Sequence, residues 1–189
     1  RECGVSTSNL VADEAVDTEV STDVVYNDGN KSSAVSEVPP LRLDRLNPKC
    51  LRGAKALHIG AYLMLPDIWG RDTIRWIRYA KREGISVSLD PQMSATGEWG
   101  EAFEGVLEYL DLLLLDEVEA RKISGKRRTL DAVDYLLGEG VSTVAVKAGK
   151  RGCIIGEHGR IHSAEAFRTK PVSTIGAGDA FDAAFIYGS

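Results

Sequence analysis

The chain has 189 residues, with 23 lysines and arginines against 28 aspartates and glutamates, for a formal net charge of −5. With 43% apolar and 27% charged residues it has the balance of an ordinary soluble domain with one sizeable core. The acidic balance argues against a general nucleic-acid or anionic-membrane surface, and no apolar run approaches the roughly 20 residues of a membrane-spanning helix. Cys3, Cys50 and Cys153 are widely spaced and show no metal-ligand spacing, so a reducing, cytoplasmic setting is the expectation. Arg1 and Ser189 fit no natural boundary, and the chain reads as a piece of a larger protein.

Residues 1–40 are polar and turn-rich. Thr18–Tyr26 leans to β structure, Asn27-Asp28-Gly29-Asn30 suits a hairpin turn, and Lys31–Val38 is a weaker return strand. A loose loop is the alternative. Pro39-Pro40 then breaks the chain, so residues 1–45 form one unit and 46–189 another. From Leu51 the pattern alternates strands and helices. Ala56–Ala61 is a short apolar strand, and Trp69–Glu83 is helical, with Ile74, Ile77 and Ala80 on one stripe. Gly84 ends that helix, and Ile85–Leu89 is the next strand, stopped at Asp90-Pro91. Glu101–Tyr109 reads as a helix, Asp111–Leu115 as a buried strand, and Glu117–Ser124 as a helix closed by Gly125. Leu130–Leu137 is helical, Thr143–Lys147 is a strand, and Glu157-His158-Gly159 joins Cys153–Ile155 to Arg160–Ser163 as a hairpin. Repeated strand, helix, strand implies an α/β fold with a mostly parallel sheet covered on both faces. Ligands in such sheets bind at the carboxyl ends of the strands.

The chemistry concentrates near the end, in Pro171–Phe185. Gly176-Ala177-Gly178 allows a tight turn, and the mainly apolar segment from Ala180 to Phe185 reads as a helix buried on most sides. A helix N-terminus offers unpaired N–H groups and partial positive charge to an anion. Asp179 stands at that spot, where a carboxylate makes sense if it takes a proton from a hydroxyl attacking a phosphoryl group. A simple N-cap on an empty turn is the bland alternative.

Three further stretches fall at strand ends. Asp116 and Glu119, three apart at a helix start, lie on one face and can share a hydrated cation, or simply favour the helix dipole. Val144–Cys153 is a strand opening into a basic glycine turn, in which Lys147 or Lys150 can offset phosphate charge, or both can be solvating lysines. Asp90-Pro91 suits either a ligand contact or a strand-ending turn. His58, His158 and His162 have no partner arrangement, and Trp69, Trp76 and Trp99 read as packing residues. No Gly-x-x-x-x-Gly-Lys-Ser/Thr pattern occurs, which excludes a P-loop by motif.

Thr174-Ile175-Gly176-Ala177-Gly178-Asp179-Ala180-Phe181 closely resembles the signature of the ribokinase-like (PfkB) carbohydrate kinases. The resemblance implies a three-layer α/β/α fold, with part of a small β lid within residues 1–45 and a nucleotide-binding, catalytic core in 46–189. It implies Asp179 as general base and Gly176, Ala177 and Gly178 as the anion hole. Asp116-x-x-Glu119 resembles the family's Asn-x-x-Glu, which orders Mg²⁺ through water. Lys147, Gly149, Gly152 and Thr174 fall where the family binds nucleotide, and Asp90 near its sugar. Ser173 stands where the family usually has Asp, in a neighbourhood that in some members holds a monovalent cation, so that dependence does not carry over. The implied activity is ATP- and Mg²⁺-dependent phosphorylation of a small-molecule sugar by a protein that dimerises through its lid. A nucleoside kinase of the same superfamily and a non-catalytic nucleotide-binding relative are the alternatives.

Overall fold

A computed structural model of the chain describes residues 4–10, 14, 17–26, 31–36, 43, 46–92, 97–170 and 173–189. Two strands, β1 (Ser21–Val25) and β2 (Lys31–Val35), pair antiparallel as a separate sheet, with Val25 opposite Lys31. The expected turn at 27–30 and the break at Pro39-Pro40 lie outside the described residues.

The main sheet has six strands in sequence order: β3 (Ala56–Ile59), β4 (Ser86–Leu89), β5 (Leu112–Asp116), β6 (Thr143–Lys147), β7 (Cys153–Glu157) and β8 (Arg160–Ala164). The first four run parallel, and the last two return antiparallel. The leucine run of β5 is continuous because both faces of its strand are covered. Leu113 and Leu115 join one core cluster while Leu112 and Leu114 join another. Three helices cover the first face: α1 (Arg71–Arg82), α2 (Glu117–Ser124) and α3 (Thr129–Gly138). The fourth, α4 (Ala177–Gly188), covers the second through Phe181, Phe185 and Ile186. The result is an α/β/α sandwich.

Local chemistry accounts for most of the boundaries. His158 (φ 49°) and Gly159 (φ 72°) both take positive φ between β7 and β8, as a tight two-residue hairpin turn requires. Gly125 at φ 68° ends α2 as expected. Two sequence expectations are corrected. Glu101–Tyr109 is not one helix but two short 3-10 turns, Glu101–Phe103 and Leu107–Tyr109, because Gly105 between them turns the chain at φ 67°. The α4 segment is not buried on most sides. Only Asp182 is fully buried, while Ala180, Ala183, Ala184 and Tyr187 are exposed, since α4 meets protein on a single face. Trp69 and Trp99 pack against the main core and Trp76 is buried in α1, as packing residues should be. Among the described residues no helix is long and apolar enough to cross a membrane.

Candidate active site

Parallel pairing brings three candidate residues to one edge. Asp90 follows the end of β4, Asp116 ends β5, and Lys147, its register partner, ends β6. The N-terminus of α4 lies beside them. Together they wall a cleft of about 780 Å³ whose lining includes Asp90, Asp116, Glu119, Lys147, Gly149, Gly152, Thr174, Gly176, Ala177, Gly178 and Asp179. Every candidate site residue read from the sequence is therefore in one place, apart from Lys150, which is exposed and lies outside the lining.

The turn before α4 has Gly176 at φ 76°, and no side chain caps the helix. Ala177 N–H is already bonded to the Thr174 carbonyl at 3.2 Å, and the helical ladder begins with Ala180 N–H on Gly176 O at 2.9 Å. Among the amides of this turn, those of Gly176, Gly178 and Asp179 donate to no acceptor among the described residues, so of the expected anion hole only Ala177 is already occupied, and Asp179 N–H adds a further donor. The Asp179 carboxyl stands exposed beside them. Ser173 is occupied locally, its Oγ accepting from Ile175 N at 3.1 Å.

The strand β6 turns into β7 through Ala148–Gly152. Lys147 pairs with Cys153, and Ala148 N–H donates to Gly152 O at 2.8 Å. Gly149 (φ 56°) and Gly152 (φ 92°) supply the two positive-φ positions this tight loop needs. An Arg151–Glu117 ion pair ties the loop to the first turn of α2.

Asp116 and Glu119 form a capping box. Asp116 Oδ1 accepts from the amides of Val118 (2.7 Å) and Glu119 (2.8 Å), and Glu119 Oε2 accepts from Asp116 N at 2.6 Å. One oxygen of each carboxylate is left over. Among the described residues no group of three or more His, Cys, Asp or Glu is placed to cage a metal. Such a donor set suits Mg²⁺ held through water and does not suit a direct cage.

Burial, with the nearby charges of Asp116 and Asp90, pushes Glu119 up to about 7 against the Asp116 amide it accepts from. Glu119 is 7% exposed. Between the ordinary glutamate range and about pH 7 the folded carboxyl therefore holds a proton that the unfolded one has lost. Stability must fall as pH rises through that window. Glu119→Gln keeps an acceptor for the cap and removes the titration, so it should flatten the loss of stability between pH 5 and pH 8 by on the order of 2 kcal/mol. Urea melts at the two pH values check this; an unchanged slope counts against it.

One group escaped the sequence reading. Asp182 is 3% exposed, and with Asp90 it binds the Lys147 ammonium: Nζ lies 2.7 Å from Asp90 Oδ2 and 3.2 Å from Asp182 Oδ1. Burial opposes the Lys147 charge, but the two carboxylates outweigh it and hold the ammonium above its ordinary value. Burial and the adjacent Asp90 push Asp182 up to about 7, whereas Asp90, despite burial, is held low by its bonds from Asp182 and Lys147. Of the two, Asp90 is the more readily ionised and Asp182 the more readily protonated. The available signal was spacing, since Asp182 follows Asp179 by one helical turn inside an apolar helix.

His58 stands nearby on β3 but bonds Ser88 Oγ through Nδ1 at 2.9 Å, and burial lowers its pKa.

The family model for the pfkB family carbohydrate kinases matches residues 1–189. The chain belongs to this family. An uncharacterized sugar kinase of Archaeoglobus fulgidus is 28% identical, over 98% of this chain and 73% of the relative. The solved PfkB protein of Polaromonas sp. JS666 shares the fold at TM-score 0.75 and 21% identity, over 96% of this chain and 64% of that one. A putative ribokinase II of E. coli, solved in complex with ATP and Mg²⁺, superposes at TM-score 0.69 and 22% identity, over 84% and 54%. The pfkB segment described above thus spans between about half and three quarters of the lengths of these relatives.

Proposed function

We propose that this pfkB-family chain carries the catalytic centre of an ATP-dependent kinase acting on a sugar hydroxyl. The supporting observation is Asp179, an exposed carboxyl beside two uncapped amides at the N-terminus of α4, in the wall of the cleft that also holds the Gly149–Gly152 loop. Asp179 takes the proton from the acceptor hydroxyl. The Gly176, Gly178 and Asp179 amides, in the turn that Ala177 completes, stabilise charge on the transferred phosphoryl. Gly149, Gly152 and Thr174 let the nucleotide backbone pass close. Phosphoryl transfer is mainly positioning and electrostatics, so such a set suffices.

Asp116 and Glu119 would hold Mg²⁺ through water, and the ion, when bound, supplies positive charge that offsets the phosphates. An aspartate in place of the family's usual Asn at Asp116 fits this fold because either side chain can cap α2. The same reading makes the protein cytoplasmic, where ATP and free thiols such as Cys50 and Cys153 coexist. It also makes the β1–β2 sheet, with Val24, Tyr26 and Val35 exposed, a lid and dimer contact.

ATP consumption by the full protein across a panel of sugars and nucleosides tests the reading. Turnover with a sugar supports it, and turnover confined to nucleosides moves the substrate class. Nucleotide binding without turnover on any acceptor overturns it in favour of a binding-only relative.

A further inference from the structure

Lys147 is a candidate phosphate ligand by sequence, yet its ammonium is committed to two carboxylates. Nζ lies 2.7 Å from Asp90 Oδ2, 3.2 Å from Asp182 Oδ1 and 3.4 Å from Asp182 Oδ2. The three residues come from the ends of β4 and β6 and the second turn of α4, and Asp90 and Asp182 are 5% and 3% exposed. Asp90 is anchored in turn, its Oδ1 accepting from Gln92 N at 2.9 Å. The triad meets directly under the phosphate turn, for a Cβ added to Gly178 would lie 3.8 Å from Lys147 Nζ.

Such a cluster is a poor device for stability. Desolvating an ion pair offsets most of its attraction, and apolar residues of the same volume would hold the fold as well. What apolar residues would not do is fix α4 along a direction. That helix has little else at this end: its apolar contacts are Phe181, Phe185 and Ile186 on a small cluster, and its N-terminus has no side-chain cap.

We propose that Asp90, Lys147 and Asp182 form a clamp that sets the Gly176–Asp179 turn at a fixed height over the carboxyl end of the sheet. In it Asp90 and Asp182 are positioning residues that act through Lys147, and Lys147 is a strut rather than a phosphate ligand. The proposal rests on the phosphotransfer reading for its kinetic consequence, because a shift of about 1 Å in a reacting group can cost about 100-fold in rate. It does not rest on that reading for its structural one. The charged and titratable groups around the triad are His58 on β3, Glu119 on α2 and Asp179 on α4. Once Asp182 loses its proton the triad carries an extra negative charge under the turn, where a phosphate should pass.

The test uses the full protein with Lys147→Met, Asp182→Ala, the double variant and Asp182→Asn. Hydrogen exchange gives the readout that needs no activity. The clamp requires amides 180–185 to exchange at least about tenfold faster in Lys147→Met and Asp182→Ala, with the β5 and β6 amides unchanged; unchanged α4 exchange overturns it. In turnover, both single variants should lose about 10- to 100-fold in kcat with KM for ATP within about threefold, and the double variant should be no worse than the weaker single. Asp182→Asn, which imitates the protonated carboxyl, should recover most of the rate at pH 7 and remove the decline expected of the wild type as pH rises past about 7. A KM for ATP raised tenfold in Lys147→Met alone would make the lysine a phosphate ligand and end the proposal. Wild type that turns over no acceptor defeats the kinase reading only, and the exchange result still decides the clamp.

Discussion

Asp179→Asn is expected to lower kcat by about 10²- to 10⁴-fold, the range that a positioned general base contributes. The substitution keeps the side chain's shape and its place at the start of α4, and removes only the proton acceptor. Nucleotide affinity should hold or improve, because a negative charge is taken away from beside the uncapped Gly178 and Asp179 amides. The fold should be indifferent, since Asp179 is exposed and caps nothing. Steady-state rates, with ADP affinity by calorimetry, separate these effects. A kcat within fivefold of wild type would remove Asp179 from the proton-transfer role. The contrast with Asp182→Asn sharpens the result. The two acids are one turn apart on the same helix, and neutralising the exposed one should cost that ~10²- to 10⁴-fold while neutralising the buried one should spare most of the rate.

The parts of this site legible in the sequence are those written in contiguous residues. Gly176-Ala177-Gly178-Asp179 shows its turn, its helix start and its carboxylate within four positions, and the structure places them in one cleft wall. The strand at Thr143–Lys147 and the hairpin at His158-Gly159 were equally readable, because β-branched runs and turn residues are local signals. The clamp was not legible. Asp90 and Lys147 are 57 residues apart and Lys147 and Asp182 are 35 apart, so only the sheet register and the seating of α4 bring them together. A lysine in a glycine-rich loop therefore looked like a phosphate contact.

Asp116 and Glu119 have a spacing that serves a capping box and a hydrated cation alike; the hydrogen bonds show the box in place and leave one oxygen of each carboxylate free for the other role. The apolar composition of α4 suggested burial, but burial depends on what packs against a helix, and here a single face of the sheet does so.

Gly152→Ala should be the most damaging single methyl in the Ala148–Gly152 loop. A Cβ there would lie 1.8 Å from the Ala164 carbonyl oxygen and 2.8 Å from both Ala164 C and Ala166 N. All three are backbone atoms beside β8, so no side-chain rotation relieves the clash. The residue also sits at φ 92° and ψ −129°, a region essentially restricted to glycine. Strain and overpacking together should cost roughly 2–5 kcal/mol, and relief requires β8 to move away from the loop. Gly149→Ala, three residues earlier, is the control. Its φ of 56° is left-handed but nothing lies within 4 Å of the added carbon, so about 1 kcal/mol is expected. Urea melts of the two variants check the ranking, which fails if Gly152→Ala lies within 1 kcal/mol of wild type. Because Gly149→Ala stays folded, it also tests the loop as a nucleotide wall. A methyl added at the cleft lining should raise KM for ATP while leaving the acceptor KM alone, and an unchanged KM for ATP would move the nucleotide off this loop.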